Sequence, residues 1–304
     1  MEYHQDAVGH LLPMSELRQQ KNVHYFPGHM KKALASLEPL IKVSDVVIEV
    51  CDARIPLSSR NPLLSQAFLA NKPRLILLSK EDRADLSVTR EWVSFFETKG
   101  ISSMSADLKS VKMLSILNKE LSPLIAKKRE KEKKYGMKKQ PIRLLVLGIP
   151  NVGKSTLINN LAGKKVAIAA NRPGVTRAEQ WIRLSEDYVL LDTPGILPMN
   201  YEDKKVAVKL AMIGSIKEEV LPIDELSDEL LAFLLTNYRE SLQKRYGICV
   251  DDSDTPFSVY SKIAANRGYL LSGGKLDMAK SSLALLKDFQ NGELGRISLE
   301  KPNA

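Results

Sequence analysis

Gly148-Ile149-Pro150-Asn151-Val152-Gly153-Lys154-Ser155-Thr156 is the stretch that decides the architecture. It fits the phosphate-loop pattern, in which a glycine-rich turn aims backbone N–H groups at phosphate oxygens. The apolar run Ile142 to Leu147 precedes it as a buried strand, and Lys154 to Leu161 follows with helical spacing. Strand, turn and helix are the context the motif needs. Gly148 and Gly153 permit the tight backbone, and Asn151, Val152, Gly153 and Thr156 complete the cradle. Lys154 is placed to reach the β- and γ-phosphates, and Ser155 to offer a hydroxyl to Mg²⁺.

Downstream, Asp192-Thr193-Pro194-Gly195 closes the apolar strand Tyr188 to Leu191. Asp192 is expected in the Mg²⁺ shell and the Gly195 N–H at the γ-phosphate. Between the two motifs lies Arg172-Pro173-Gly174-Val175-Thr176-Arg177. Thr176 is the candidate switch threonine that meets Mg²⁺, and a plain Pro-Gly turn is the alternative. Upstream, Ser79-Lys80-Glu81-Asp82 ends another short strand, Arg74 to Leu78. Asp82 could accept two N–H donors from guanine, a pairing that adenine does not offer, and Lys80 would lie along the base and ribose. Ser79 replaces the usual Asn and lacks its amide, so a looser tie to the phosphate loop is expected. Ser105-Ala106 fits the small motif beside the base. The base-reading motif thus precedes the phosphate loop, the reverse of the ordinary order. That order predicts a circularly permuted P-loop GTPase, an α/β fold whose parallel sheet has helices on both faces.

The residue after Gly195 is Ile196, where many GTPases carry a glutamine that positions water. An aliphatic side chain makes no hydrogen bond to water. Slow intrinsic hydrolysis is expected, with the missing group supplied from elsewhere.

The chain has 304 residues, 44% of them hydrophobic, and a net charge of +9. No apolar run is long enough to span a membrane. Met1 to Gln20 lacks both a signal-peptide core and an Arg-rich transit pattern, so a cytoplasmic protein is expected. Cys51 and Cys249 are read as buried free thiols. Lys127 to Lys139 holds eight basic and two acidic residues, a solvated linker or a nucleic-acid contact. After about Ile216 strand signals become scarce, and a separate helical domain over 216–304 is predicted from Ile223 to Arg245, Pro256 to Ala265 and Leu276 to Gln290. That region carries eleven Lys/Arg and fourteen Asp/Glu. Any RNA-binding surface on it must be local, and Lys262, Arg267, Lys275 and Lys280 are the candidates. The permuted domain is placed at 22–215, with 1–21 an extension.

Further runs complete the pattern: Phe26-Pro27-Gly28-His29-Met30, Asp52-Ala53-Arg54-Ile55-Pro56, Ser58-Ser59-Arg60-Asn61-Pro62, Arg267-Gly268, Ser272-Gly273-Gly274 and Gly295-Arg296-Ile297-Ser298. With the motifs above, in this order, the chain resembles the RbgA/YlqF family of circularly permuted ribosome-assembly GTPases from about Asn22 to its end. The resemblance implies GTP hydrolysis stimulated by the large ribosomal subunit, late in that subunit's maturation, and a helical domain that contacts ribosomal RNA. It implies that His29 takes the catalytic part Ile196 leaves open; imidazole polarises water near neutral pH. Asn151 matches the residue that holds K⁺ in GTPases using that ion beside the phosphates, with a backbone-turn role as the alternative. For Asp52 and Arg54 a buried ion pair is one reading. A GTP-gated RNA-binding module with incidental hydrolysis is the competing function.

Overall fold

The computed structural model describes residues 3–5, 11–13, 37–60, 72–163, 181–191, 203–216 and 222–302. Two short N-terminal strands, β1 (Tyr3–Gln5) and β2 (Leu11–Pro13), pair antiparallel. Residues 37–43 are helical (α1). A six-stranded sheet follows, built from β3 (Val46–Asp52), β4 (Arg74–Ser79), β5 (Ser102–Ser105), β6 (Ile142–Leu147), β7 (Trp181–Arg183) and β8 (Tyr188–Leu191), in the order β5-β4-β3-β6-β8-β7. All neighbours are parallel except β7, which runs antiparallel to β8 at one edge of the expected parallel sheet.

The central strands are near-continuous apolar runs because both faces of the sheet are covered. Alternation sorts their side chains. Val46, Ile48 and Val50 of β3, with Leu75, Leu77, Leu144 and Val146, face α3 (Met113–Lys134) and α4 (Lys154–Ala162). On the other face Val47, Leu145 and Leu147 meet Leu37 and Ile41 of α1. Cys51, Ile76 and Leu78 meet Trp92 and Phe96 of α2 (Leu86–Thr98).

The basic segment is a correction. α3 runs on to Lys134, so most of the expected linker is the last turns of a helix. Lys, Glu and Arg are good helix formers, and between Lys127 and Gly136, whose φ is 60°, no breaker occurs. A helix the sequence reading lacked, α5 (Lys204–Met212), is capped by the Asp203 carboxylate, which accepts from Lys205 N. Beyond it come α6 (Ile223–Asn237), α7 (Arg239–Tyr246), α8 (Pro256–Arg267) and α9 (Met278–Asn291). The expected long helix from Ile223 breaks at Tyr238. α5 packs on α6 and α9. Leu230, Leu234, Ile263, Leu285 and Leu286 belong to the same apolar cluster as the sheet's α3/α4 face. Cys51 is buried as expected, but Cys249 is exposed.

Candidate functional site

The phosphate loop joins β6 to α4. Its conformation requires glycine at the start: a Cβ on Gly148 would lie 2.5 Å from the Val50 carbonyl oxygen of β3. Lys80 and Asn151 are the non-glycine residues with positive φ among those described, at 56° and 60°. Both belong to the predicted site, where strained backbone concentrates. No side chain caps the first turn of α4, so its N–H groups remain available to anionic oxygens. The Lys154 amine curls back to donate to Ile149 O at 2.6 Å. Burial brings its pKa down to about 8. Ser155 and Thr156 are exposed, and Val152 is buried.

The base-reading side meets this loop directly. Ser79 is fully buried, and its hydroxyl lies 2.5 Å from Val152 O and 2.9 Å from Cys51 O. The short side chain therefore makes the tie to the phosphate loop that the missing amide seemed to forfeit. Lys80, Asp82, Gly153 and Thr156 line one pocket of about 90 Å³, together with Arg83, Asp107, Leu108 and Lys109. Residues on opposite sides of the permutation thus form one site. Ser105 and Ala106 lie at the sheet edge below, with Ala106 N donating to Leu78 O at 3.0 Å. The run after them, Asp107 to Lys109, lines the pocket and was missed. Its only sequence signal is that it directly follows Ser105-Ala106.

Asn151 Nδ2 donates to Gly214 O at 2.6 Å, which leaves Oδ1 free of that bond. Ser215 Oγ donates to Pro150 O at 2.9 Å. The phosphate loop is thereby fastened to the turn after α5. His29, Thr176, Asp192, Ile196 and Gly195 lie outside the described residues.

Asp52 and Arg54 are both fully buried and form a bidentate pair, with Nε to Oδ1 at 2.9 Å and Nη2 to Oδ2 at 2.8 Å. Lys80 Nζ lies 3.0 Å from Asp52 Oδ2. Burial by itself would push the Asp52 carboxyl up; Arg54 and then Lys80 outweigh it and hold it well below the usual carboxylate range. The pair is therefore tied through Lys80 to the loop predicted to read the base, a link that strand-end reading could not supply.

Residues 143–250 match the family described as 50S ribosome-binding GTPase. Ribosome biogenesis GTPase A of Bacillus pumilus is 40% identical over 285 residues, covering 93% of this chain and 99% of that protein. The chain belongs to the ribosome biogenesis GTPase A family. It is a GTPase with the permuted fold expected of that family. Mitochondrial ribosome-associated GTPase 1 of Mus musculus is 33% identical, covering 91% of this chain and 90% of that protein. The GNP-bound crystal structure of YlqF from T. maritima superposes with a TM-score of 0.62 at 28% identity, covering 90% of this chain and 99% of that one. Among the described residues no helix is long and apolar enough to cross a membrane.

Proposed function

We propose that this protein binds GTP between the two halves of the pocket and hydrolyses it during assembly of the large ribosomal subunit, with the subunit stimulating turnover. The observation that carries this is the meeting of Lys80 and Asp82 with Gly153 and Thr156 around one pocket. Asp82 reads the guanine edge, and Lys80 lies along the base. Lys154 and the α4 N-terminus hold the phosphates. GTPases of this family use Mg²⁺, which neutralises charge developing between the β- and γ-phosphates. Ser155, exposed at the start of α4, fits that role, and Thr176 and Asp192 are assigned to complete its ligand set. Asn151 Oδ1, oriented by the hydrogen bond from Nδ2 to Gly214 O, is assigned to K⁺. His29 is assigned to the attacking water.

The test is GTP turnover by the full chain in K⁺ and in Na⁺, with and without purified large subunits. Slow basal turnover, accelerated by subunits, faster in K⁺ and lost in His29→Ala, is expected. No acceleration by subunits would overturn the partner assignment. A His29→Ala protein that still supported subunit maturation would make hydrolysis incidental.

The ribosomal RNA contact is better placed on α3 than on the helical region. Lys127, Lys131 and Lys134 recur at i, i+4 and i+7 and are exposed. None of the three has a carboxylate partner among the described residues. The inward side of the same turns is neutralised: Lys128 pairs with Asp45 at 2.8 Å and Arg129 with Glu132 at 2.7 Å. In the helical region Lys262 is spent on Asp254 at 2.6 Å, and the Arg267 guanidinium lies over the Tyr246 ring. Replacing all three α3 lysines by Gln should leave GDP affinity unchanged and weaken subunit binding. The logarithmic salt dependence of that binding should lose about 2–3 in slope, near one per phosphate contact removed. A filter-binding salt titration checks this.

A further inference from the structure

The loop that reads the base does not hold its own shape. Glu81–Arg83 is a single 3₁₀ turn with no buried residue. Its leading residue, Lys80, sits in the left-handed region without a side-chain cap. Such a turn takes its geometry from what it is fastened to, and the fastenings lead to the last turn of α9.

Arg54 Nη1 donates to Phe289 O at 3.0 Å, and its guanidinium lies 5.0 Å from the centre of the Phe289 ring. Arg83 Nη1 donates to Gln290 O at 2.6 Å. Both carbonyls lie at the C-terminal end of α9, where the helix dipole concentrates negative charge and cations are favoured. From Arg54 the chain of contacts runs through Asp52 to Lys80 Nζ. From Arg83 it runs along one peptide bond to Asp82, whose Oδ2 also lies 3.7 Å from Arg83 Nε. Just beyond α9 the chain returns as a strap. Ile297 N donates to Arg83 O and Leu299 N to Arg54 O, each at 2.9 Å, and the Ser298 hydroxyl accepts from Asp85 N at 3.1 Å. Glu300 then accepts from Leu57 N at 2.9 Å and from the Ser58 hydroxyl. The approach is close: at Gly292, with φ of 83°, a Cβ would fall 2.8 Å from Arg83 Cγ.

We infer that Arg54 and Arg83 are positioning residues for base recognition, through which the last turn of α9 holds Lys80 and Asp82 in the geometry that selects guanine. The helical segment is thereby a determinant of nucleotide selectivity without touching the nucleotide.

The inference rests on Asp82 as the guanine reader, and the test separates the two. Affinities for GDP and for IDP, whose base lacks the 2-amino group, are measured on the full chain for three variants. Asp82→Ala should bring the GDP-to-IDP ratio close to one; if it does not, the assignment of Asp82 fails. Arg83→Met keeps the aliphatic stem and removes the bond to Gln290 together with the pair to Asp82, so the helix-side variant is the one that isolates α9. Gly292→Ala crowds the same contact from the helix side. Each should weaken GDP binding about tenfold, the worth of one charge-assisted hydrogen bond, and lower the ratio with it. Damage to the phosphate side would weaken both nucleotides alike and leave the ratio intact. A wild-type ratio in either variant with a near-native urea midpoint, while Asp82→Ala loses it, overturns the inference. Should one variant fail to fold, the other carries the test from the opposite side of the contact.

Discussion

Arg54→Met is expected to destabilise the protein by about 3–5 kcal/mol, because it leaves a buried carboxylate without its principal partner. The Asp52 and Arg54 side chains are wholly buried. After the substitution Asp52 would keep only the Arg54 backbone N–H on Oδ1 and the Lys80 amine on Oδ2. The Phe289 carbonyl would also lose one of its two donors, keeping the Gly292 N–H at 3.2 Å. That loss is a large fraction of the ~5–15 kcal/mol that holds an ordinary domain together. The pH dependence gives the cause away. In the native chain the depressed Asp52 pKa contributes stability that is present above the unfolded carboxylate pKa of about 3.9 and is lost as pH falls below it. In the variant burial dominates and the carboxyl pKa rises, so protonation relieves the penalty. The gap between the two proteins should therefore narrow as urea titrations move from pH 7 towards pH 4. The double variant Asp52→Leu/Arg54→Met should be less destabilised than Arg54→Met alone. A gap that is constant with pH, or a double variant that is worse, would contradict the account.

The nucleotide-facing half of the molecule was legible because its signals are local. Arg74 to Leu78, Ile142 to Leu147 and Tyr188 to Leu191 are apolar runs bounded by turn residues, and each became a strand of the central sheet. The order of the motifs then implied a permuted topology, and the sheet order puts β6 beside β3 as it requires. The helicity of Lys127 to Lys134 was obscured by its charge, although its composition favours a helix. For helix α5 the sequence signal is the single capping residue Asp203 before Lys204.

What a single sequence could not show is partnership over long separations. Nothing near Arg54 announces Phe289, and nothing near Leu57 announces Glu300. Those contacts join a strand end, a 3₁₀ turn and the strap at 297–300 into one unit. Ser79 teaches a related point. Judged by its type it is a weak substitute for Asn, but full burial between β3 and the phosphate loop lets a short hydroxyl reach Val152 O. Geometry decided what residue type left open.

Gly148→Ala is expected to abolish tight nucleotide binding, by at least about 100-fold or roughly 2.7 kcal/mol. The added methyl would stand 2.5 Å from Val50 O and 3.1 Å from Val152 Cγ2. Val50 lies in β3, the strand that pairs with both β4 and β6, so its carbonyl has little freedom to retreat. The phosphate loop must move instead. Its displacement would carry the Ile149 to Gly153 backbone away from the phosphates and break the bond between Ser79 and Val152, disturbing both sides of the site together. Overpacking of this kind costs about 1–3 kcal/mol of stability, so a folded but binding-deficient protein is expected. Gly100→Ala is the control. Gly100 also has a positive φ, of 69°, but no atom lies within 4 Å of its added Cβ. It should lose about 1–2 kcal/mol from left-handed strain alone and bind GDP normally. Isothermal titration with GDP, paired with urea midpoints, separates the two effects. Equal loss of affinity in both variants would mean that binding fails through stability rather than through the close approach of the loop to β3.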